Sequence, residues 1–591
     1  KGFMERSSIT KWLLLGLAVF LFWQFGRPLI FGRGAVEQQS FNVDYTAAPA
    51  AERTAEELCQ IDGSGFTAKL STQGAALRSF VLTDGNYHRD DNASQQIELV
   101  RTTDQGRLPL RTDLRVPGDS PQQVAYNDLD WKLGAQDGKS CTFTFTSDTT
   151  SLTKTIAATG KPFELAVDLK VQNLAAEPKK HRLAIEQTSY ELKKDTEGSL
   201  GRQSQQLTET MTGTLVDSSE KSERQTPSDF APDALTKKEF TQEKWRRSPG
   251  DPRFVAVSSN YFTRIAVPLE APGKPTAETR IEDIFNPRFA SDKDKDPSFG
   301  HTYRARLAYP EIELKPQEAV EYKVLTFNGP KDRALLGAMG HGVTDVLNLG
   351  MFAPIARALV GYLHILHGFT GSWGIAIILM TITVRTALFP LSLTQIKSSI
   401  AMRKLKPEMD ALNEKYKDDA TQRGLATQEL WKKNGVTNPV LGCLPMLLQM
   451  PVWWALYSAL QTAVELYHVP FGPFIPDLAS PGKYFIIPVV LGASSFIQQK
   501  MMPPQGDAQQ QKMMMYMMPA VFTFMMLFLP AGLGVYMLTN TWLGIGQQLL
   551  VERYQKAKAN SPGTIEVREK TEGDGGKPTP TLGKGKARVR G

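Results

Sequence analysis

The residue with the most unusual chemical setting in this sequence is Arg385. It lies in the apolar run Ile377–Pro390, about eight residues from the end of a stretch that is long enough to cross a bilayer. At 1.5 Å per residue, Arg385 would lie roughly 12 Å inside the hydrocarbon boundary, where an arginine costs around 3 kcal/mol to insert. Because its guanidinium stays charged at every physiological pH, it must meet water, a carboxylate or lipid headgroups.

Two interpretations of Arg385 stay open. In the first, its long side chain extends to the headgroups. In the second, the guanidinium lines a water-filled cavity that opens towards the cytoplasm. No predicted span holds an Asp or Glu suited to pair with it, so the cavity would suit a transient anionic or polar guest rather than a proton relay. The candidate lining residues are polar: Thr381, Thr383, Gln449, Asn540, Gln547 and Gln548.

Residue sets that carry out enzyme chemistry are absent from the sequence. The seven His are scattered, and the sequence has no zinc-binding His-Glu-x-x-His, no Gly-x-Ser-x-Gly elbow and no phosphate-binding loop. His364 and His367 are three residues apart but have no third metal ligand nearby. The sequence therefore predicts no catalytic residue, no cofactor and no metal. Cys59 and Cys141 fall in a segment predicted to be external, where an oxidising compartment allows a disulfide without requiring one.

The elements that must position Arg385 emerge when the chain is divided in two. Over all 591 residues, a hydrophobic fraction of 41% and a mean hydropathy of -0.27 are those of an ordinary soluble protein. However, 16 of the 19 Met follow residue 345, and the long apolar runs lie there and at the N-terminus. Residues 40–330 are polar and charged. The sequence therefore predicts a membrane protein with a large external domain.

Apolar runs of about 20 residues predict six membrane spans. The first span is predicted to be an uncleaved signal anchor that follows a short cytoplasmic N-terminus (1–11) and precedes a linker (32–59). A cleaved signal peptide is the alternative, but the run holds two Trp and no small-x-small site follows it closely. The spans are predicted at residues 12–31, 371–393, 438–461, 483–502, 513–530 and 532–552.

Lys and Arg are concentrated in one connecting segment and in the C-terminal tail, which are therefore predicted to be cytoplasmic. Residues 394–437 carry nine and the tail 553–591 carries ten, whereas residues 465–483 carry one. This distribution places residues of about 35–340 outside and the N-terminus inside. Two interpretations of the tail stay open: it contacts ribosomal RNA or anionic lipid, or it is a solvated, disordered segment.

The external domain, residues 60–330, has the period of β-strands. Phe163, Leu165, Val167, Leu169 and Val171 alternate with polar residues, as in a half-buried strand. Similar short runs are separated by Asn-Gly, Asp-Gly and Pro-Gly turns, and no long run has the 3.6-residue period of a helix. The predicted fold class is a membrane protein with a bundle of five clustered helical spans, an N-terminal anchor helix and an all-β, sandwich-like external domain.

Two helical segments outside the spans are also predicted. Residues 341–368 have one apolar face and are predicted to lie along the membrane surface. Residues 394–437 are predicted to form a cytoplasmic helical hairpin, in which Pro407 begins a new helix or kinks a long one. Its turn is predicted at residues 418–424 and its returning helix at 425–433. The apolar seam of the hairpin is Met402, Leu405, Met409, Leu412 and Tyr416.

Several of these runs resemble motifs of the YidC membrane protein insertase family, of the Gram-negative type with a large periplasmic domain. In the predicted spans the similar residues are Thr381–Leu391 with Met402–Pro407, Asn438–Pro451 with Ala455–Tyr457, and Pro530–Tyr536 with Asn540. In the external domain they are Leu152–Thr155, Tyr261–Phe262 and Pro268. The similarity covers nearly the whole chain, and the span motifs are specific when they are taken together.

The resemblance implies an insertase and chaperone of the bacterial inner membrane that has no catalytic activity. It implies that Arg385 is the cation of a hydrophilic groove that is closed to the outside, and that substrate helices contact Thr381, Met450, Trp453 and Tyr536. At Trp453 and Met537 the sequence departs from the residues usual in the family. The implied partners are nascent membrane proteins, the lipid bilayer and Sec translocon components. The ribosome is a further candidate, through the hairpin and the basic tail, and no DNA partner is expected.

Two other functional classes are weighed against the insertase. A secondary transporter or channel with a periplasmic binding domain would have inverted repeats and titratable groups near the bilayer midplane, and neither is visible in the sequence. An intramembrane hydrolase would need paired Asp, a Ser-His set or a zinc motif within the spans, and none occurs. The sequence leaves open the substrates, the use of the Sec pathway, the ligand of the external domain and the oligomeric state.

Overall fold

A computed structural model describes residues 54–560 of the chain, except for 86, 90–91, 103–106, 116–129, 194–207, 231–244, 287, 289–291, 351, 417–418, 435–443, 482–484 and 502–507. For several helical residues, Gln449 among them, only the backbone is described. The predicted N-terminus (1–11), signal anchor (12–31) and the part of the basic tail after residue 560 lie outside the described residues.

The described part of residues 54–330 is built from antiparallel strands. The strands are β1 (Leu58–Gly63), β2 (Phe66–Ser71), β3 (Ala76–Leu82), β4 (His88–Arg89), β5 (Asn92–Gln96), β6 (Arg111–Arg115), β7 (Lys132–Gln136), β8 (Ser140–Thr146), β9 (Thr150–Ala158), β10 (Glu164–Asn173), β11 (Lys179–Leu192), β12 (Glu209–Val216), β13 (Ser219–Gln225), β14 (Arg246–Arg247), β15 (Asp251–Ser258), β16 (Phe262–Pro268), β17 (Thr276–Ile284), β18 (Gly300–Ala308), β19 (Ile312–Leu314) and β20 (Ala319–Pro330).

Two large sheets pack against each other to form the core of this domain. One has nine strands in the order β13-β12-β15-β16-β20-β10-β9-β8-β7, and the other has the order β14-β17-β18-β11-β19, with β6 also paired to β11. Strands β12, β15 and β16 of the first sheet contact β17 and β18 of the second. A three-stranded sheet, β1-β2-β3, is joined to β8 by a disulfide between Cys59 and Cys141, whose Cα atoms are 6.2 Å apart. The predicted β-rich external domain is confirmed.

The alternating pattern around residue 167 forms strand β10, as predicted. Leu165, Val167 and Leu169 have no solvent exposure, whereas Asp168 between them points to solvent. Strand β10 pairs with β9 on one side and β20 on the other, with Val167 opposite Ile156 and Val324. The period of two therefore places one row of apolar side chains in the core and the intervening polar row outside.

Helices make up the chain after residue 332. They are α1 (Arg333–Met339), α2 (Ala353–Thr370), α3 (Trp373–Ala387), α4 (Phe389–Lys404), α5 (Lys406–Lys415), α6 (Ala420–Lys433), α7 (Leu444–Thr462), α8 (Ile486–Met501), α9 (Ala508–Met526) and α10 (Ala531–Asn560), with single 3-10 turns at Pro227–Asp229, Lys293–Lys295, Val343–Val346 and Val464–Leu466. Within the described residues, no helix combines the length and the apolar character needed to cross a membrane. The helical C-terminal region is confirmed, and the number of spans stays a prediction.

Prolines divide the helical path on both sides of the hairpin. Helices α3 and α4 meet at Leu388, just before Pro390, which cannot donate a backbone hydrogen bond. Pro407 lies in the first turn of α5, so a new helix begins there, which was one of the two predicted outcomes. The prediction that residues 418–424 form the turn is wrong. Helix α6 begins at Ala420, because the Asp419 carboxylate accepts hydrogen bonds from the first free N–H groups, those of Thr421 and Gln422.

The β-rich domain contacts the segment between α7 and α8 through aromatic rings. The ring centroids of Tyr261 and Phe262 lie 5.0 Å and 5.6 Å from that of Tyr467. The Tyr261 hydroxyl donates to the carbonyl of Ala479 at 3.5 Å. Tyr261 also belongs to the same hydrophobic cluster as Ile377 of α3. The two regions of the chain therefore share part of their packing.

Candidate functional site

Arg385 of α3 is bound by α10. Its Nε donates to Asn540 Oδ1 at 2.7 Å, and its Nη2 donates to the backbone carbonyl of the same residue at 3.0 Å. Its Nη1 donates to Gln547 Oε1 at 3.5 Å, a longer and weaker contact. The sequence prediction that Asn540 and Gln547 share a site with Arg385 is therefore consistent with the geometry.

A glycine makes room for the guanidinium. A Cβ atom added at Gly544 would lie 2.8 Å from Arg385 Nη2 and 3.0 Å from Gln498 Nε2 of α8. Gly544 follows Asn540 by four residues and precedes Gln547 by three, so all three lie on one face of α10. Tyr536, one turn before Asn540, is buried. Helix α10 thus offers Arg385 two amide oxygens on either side of a gap without a side chain.

The partners of Arg385 are neutral. Among the described residues, no carboxylate lies within ion-pair distance of its guanidinium. The side chain is partly buried, so bulk water screens its charge only in part. Hydrogen bonds from a charged donor to amide oxygens orient that donor but leave its net charge uncompensated. The cluster therefore carries one positive charge that no described carboxylate compensates.

Other predicted site residues lie apart from this cluster. The Thr383 hydroxyl contacts the Tyr362 hydroxyl of α2 at 3.0 Å and donates to the carbonyl of Leu379. Thr381 is 1% exposed and donates to the carbonyl of Ile377 within its own helix.

Three predicted site residues belong to α7. The Trp453 ring stacks on Tyr457 with centroids 5.9 Å apart, and Met450 is exposed. For Gln449 the side chain lies outside the described residues.

The C-terminal half of α10 makes a second set of polar contacts. Gln548 Nε2 donates to the carbonyl of Met501, the last residue of α8, at 2.7 Å, and it approaches Glu552 Oε1 at 3.5 Å. The same carboxylate oxygen lies 2.9 Å from Arg403 Nη1 of α4. Gln548, predicted to line the Arg385 cavity, thus contacts the end of α8.

An acid and a base pair at the opposite end of the helices. His364 Nε2 of α2 lies 3.1 Å from Glu465 Oε1 in the segment after α7. Burial raises the pKa of Glu465 to about 7 and lowers the pKa of His364 from its usual value. Burial therefore favours the neutral form of each group.

Sequence reasoning missed Gln498 and Gly544. Gln498 is one of two adjacent Gln near the end of an apolar run, which is a weak signal for a buried contact. For Gly544 the available signal was its spacing from Asn540 and Gln547, which places the three residues on one helix face. Neither signal identifies the residue of another helix that the face will meet.

Comparisons with known proteins agree with this architecture. Residues 58–362 match the family model "YidC periplasmic domain", and residues 365–559 match "60Kd inner membrane protein". Together the two matches define an inner membrane protein with a periplasmic domain.

Named relatives make the assignment more specific. A membrane protein insertase YidC of Anaeromyxobacter sp. (strain K) is 34% identical over 517 residues, which cover 85% of this chain and 86% of the relative. That of Geobacter sulfurreducens is 42% identical over 247 residues, or 42% of this chain and 46% of the relative. A solved YidC insertase structure with its first transmembrane domain resolved aligns with 92% of this chain and 99% of its own, at 17% identity and a TM-score of 0.35. The chain belongs to the YidC membrane protein insertase family, whose members are insertases and not enzymes.

Proposed function

We propose that this protein inserts nascent membrane proteins into the bacterial inner membrane and helps them to fold, through a hydrated groove centred on Arg385. The observation that carries this proposal is an arginine in an apolar helix, held by the neutral oxygens of Asn540 and Gln547. A charged side chain in such a place is energetically costly, and residues of this kind usually belong to functional sites. The groove would open to the cytoplasm and to lipid, and it would need no cofactor.

The groove would reduce the cost of moving a polar segment across hydrocarbon. Water in the groove shortens the dry distance, and Arg385 attracts acidic groups of the segment. Flexible Met side chains suit substrates of different shapes. Burial of the apolar helix of the substrate and the membrane potential, about 2.3 kcal/mol per charge per 100 mV, would drive insertion. The proposed substrate contacts are Thr381, Thr383, Gln449, Met450, Trp453 and Tyr536.

The proposed topology follows the distribution of Lys and Arg. Residues of about 35–340 would lie in the periplasm, six spans would cross the membrane, and the hairpin and tail would lie in the cytoplasm. Residues 341–368 would lie along the surface of the inner membrane. Sec translocon components and the ribosome are proposed as partners, the ribosome through the basic hairpin and tail.

Substitution of Arg385 tests the groove. In a strain depleted of the endogenous insertase, Arg385→Ala and Arg385→Glu are expected to slow the insertion of single-span substrates with acidic external segments. A charge-assisted contact is worth about 1.5 to 3 kcal/mol, which corresponds to roughly ten- to hundredfold in rate. Arg385→Lys should retain part of the rate, because charge matters more here than bidentate geometry. Arg357→Ala, at an exposed arginine of α2, is the matched control.

Crosslinking provides the direct readout. Photo-crosslinkers at Met450 and Trp453 should capture a stalled nascent chain, and replacing the acidic residues of the substrate should remove its dependence on Arg385. Normal insertion by Arg385→Ala, or crosslinks confined to lipid, would show that the proposed groove is wrong.

A further inference from the structure

The cytoplasmic hairpin is joined to α10 by an ion pair. Arg403 Nη1, near the end of α4, lies 2.9 Å from Glu552 Oε1. The two side chains are 37% and 18% exposed, so the pair is partly shielded from solvent. Beside Arg403, Met402 and Leu405 are buried with Trp431 of α6 packed against them, which places the pair at the base of the hairpin.

Glu552 belongs to the same helix as the residues that hold Arg385, twelve residues after Asn540. It follows Gln548 by four residues, and Gln548 Nε2 contacts both Glu552 Oε1 and the carbonyl of Met501. Helix α10 therefore binds the guanidinium of Arg385 in α3 through Asn540, and it binds Arg403 in α4 through Glu552. The same helix also contacts the end of α8.

The backbone between these two contacts contains a break. Helices α3 and α4 are separated at Leu388, where Pro390 removes one of the helical hydrogen bonds. From Leu388 to Arg403 the chain rises about 22 Å at 1.5 Å per residue. A small change of angle at the break would therefore move the hairpin base by several ångströms, and a side-chain contact at the far end of α4 would limit that movement.

We propose that Glu552 is a positioning residue for insertion, because its ion pair with Arg403 fixes the hairpin against the helix that holds Arg385. The inference rests on the proposed function of the Arg385 groove. Glu552 contacts neither Arg385 nor the proposed substrate site. It acts through α4, and it would set the angle at which the hairpin base meets the cytoplasmic end of the groove.

Charge exchange within the full-length protein tests this role. The single variants Arg403→Glu and Glu552→Arg each place like charges together, and each should slow insertion about threefold or more. The double variant Arg403→Glu/Glu552→Arg restores an opposite pair and should recover most of the rate. Glu414→Arg is the matched control: it makes the same charge change at an exposed hairpin residue, and no described side chain pairs with it.

Limited trypsin digestion of inverted membrane vesicles supplies a readout that does not depend on insertion. Cleavage within the hairpin should be faster in both single variants and return to the original rate in the double variant. The inference is overturned if the double variant inserts no better than the single variants, or if the single variants insert normally. Arg385→Ala in the same assay separates the two proposals: a slow Arg385→Ala beside a normal Glu552→Arg refutes only the positioning role, whereas a normal Arg385→Ala refutes the groove.

Discussion

Gly544→Ala is the substitution that most directly tests how Arg385 is held. The added Cβ would lie 2.8 Å from Arg385 Nη2, whereas non-bonded heavy atoms prefer about 3.5 Å or more. The guanidinium must therefore retreat by roughly 0.7 Å. Its bond to the carbonyl of Asn540 is now 3.0 Å long, and a retreat away from that carbonyl would stretch it to about 3.7 Å, which is beyond hydrogen-bond distance.

The loss of a hydrogen bond from a charged donor costs about 1.5 to 3 kcal/mol. Replacing glycine by alanine within a helix gains up to about 1 kcal/mol from the backbone, so the two effects oppose each other at position 544. At Gly546, two residues further along α10, an added Cβ would meet nothing within 4 Å. Gly546→Ala therefore carries the backbone gain without the clash and is the matched control.

The assay combines thermal unfolding of the detergent-purified protein with the insertion rate of a single-span substrate that has an acidic external segment. We expect Gly546→Ala to be as active as the parent and equally or more stable. Gly544→Ala should be less stable than Gly546→Ala and insert about tenfold more slowly or worse. If the two variants are equal in stability and in rate, the reasoning about the space at Gly544 is refuted.

Three further outcomes are expected. Cys59→Ser removes the disulfide to Cys141, which joins positions 82 residues apart, and should lower the free energy of unfolding by about 4.5 kcal/mol through loop entropy. In urea unfolding, a reductant should destabilise the parent but not the variant. Arg306→Met removes an ion-pair partner of Glu278, which is itself 1% exposed, and should lower the free energy of unfolding by about 3 to 5 kcal/mol. Adding Glu278→Gln should recover part of that loss. The pKa of Glu465 is about 7 in the folded protein, above its unfolded value, so the protein should lose stability as pH rises from about 4.5 to 7 and this carboxyl group ionises. Glu465→Gln should remove the resulting fall in melting temperature between pH 5 and pH 8. An unchanged pH dependence in that variant would contradict the assignment.

The parts of the site that could be predicted are those that depend on one segment at a time. A charged residue in an apolar run marks Arg385, and amides in another apolar run mark Asn540 and Gln547. In the β-rich domain, the alternation around Val167 shows which side chains face the core, because the period of a strand is fixed by its backbone.

The errors and omissions depend on relations between segments. Thr383 is two residues from Arg385, about 200° around the helix, and it faces Tyr362 instead. Gln498 and Gly544 approach Arg385 only because α8 and α10 pack with one particular rotation and height, and a single sequence does not contain that information. The predicted start of α6 is five residues too late, because Asp419 caps the helix and it begins at Ala420.

Arg304 and Arg385 are held in opposite ways. In the β-rich domain, Arg304 pairs with Glu186 and Glu282, so its charge is compensated where it is buried. Arg385 is held by amide oxygens of a single helix, an arrangement that fixes its orientation and keeps its full charge. If Arg385 only stabilised the fold, a carboxylate on α10 at the position of Asn540 would hold it better. Asn540→Asp should accordingly raise the stability of the protein and slow insertion, because the new carboxylate would compete with the acidic segment of the substrate; faster insertion by that variant would show that the uncompensated charge of Arg385 has no part in the reaction.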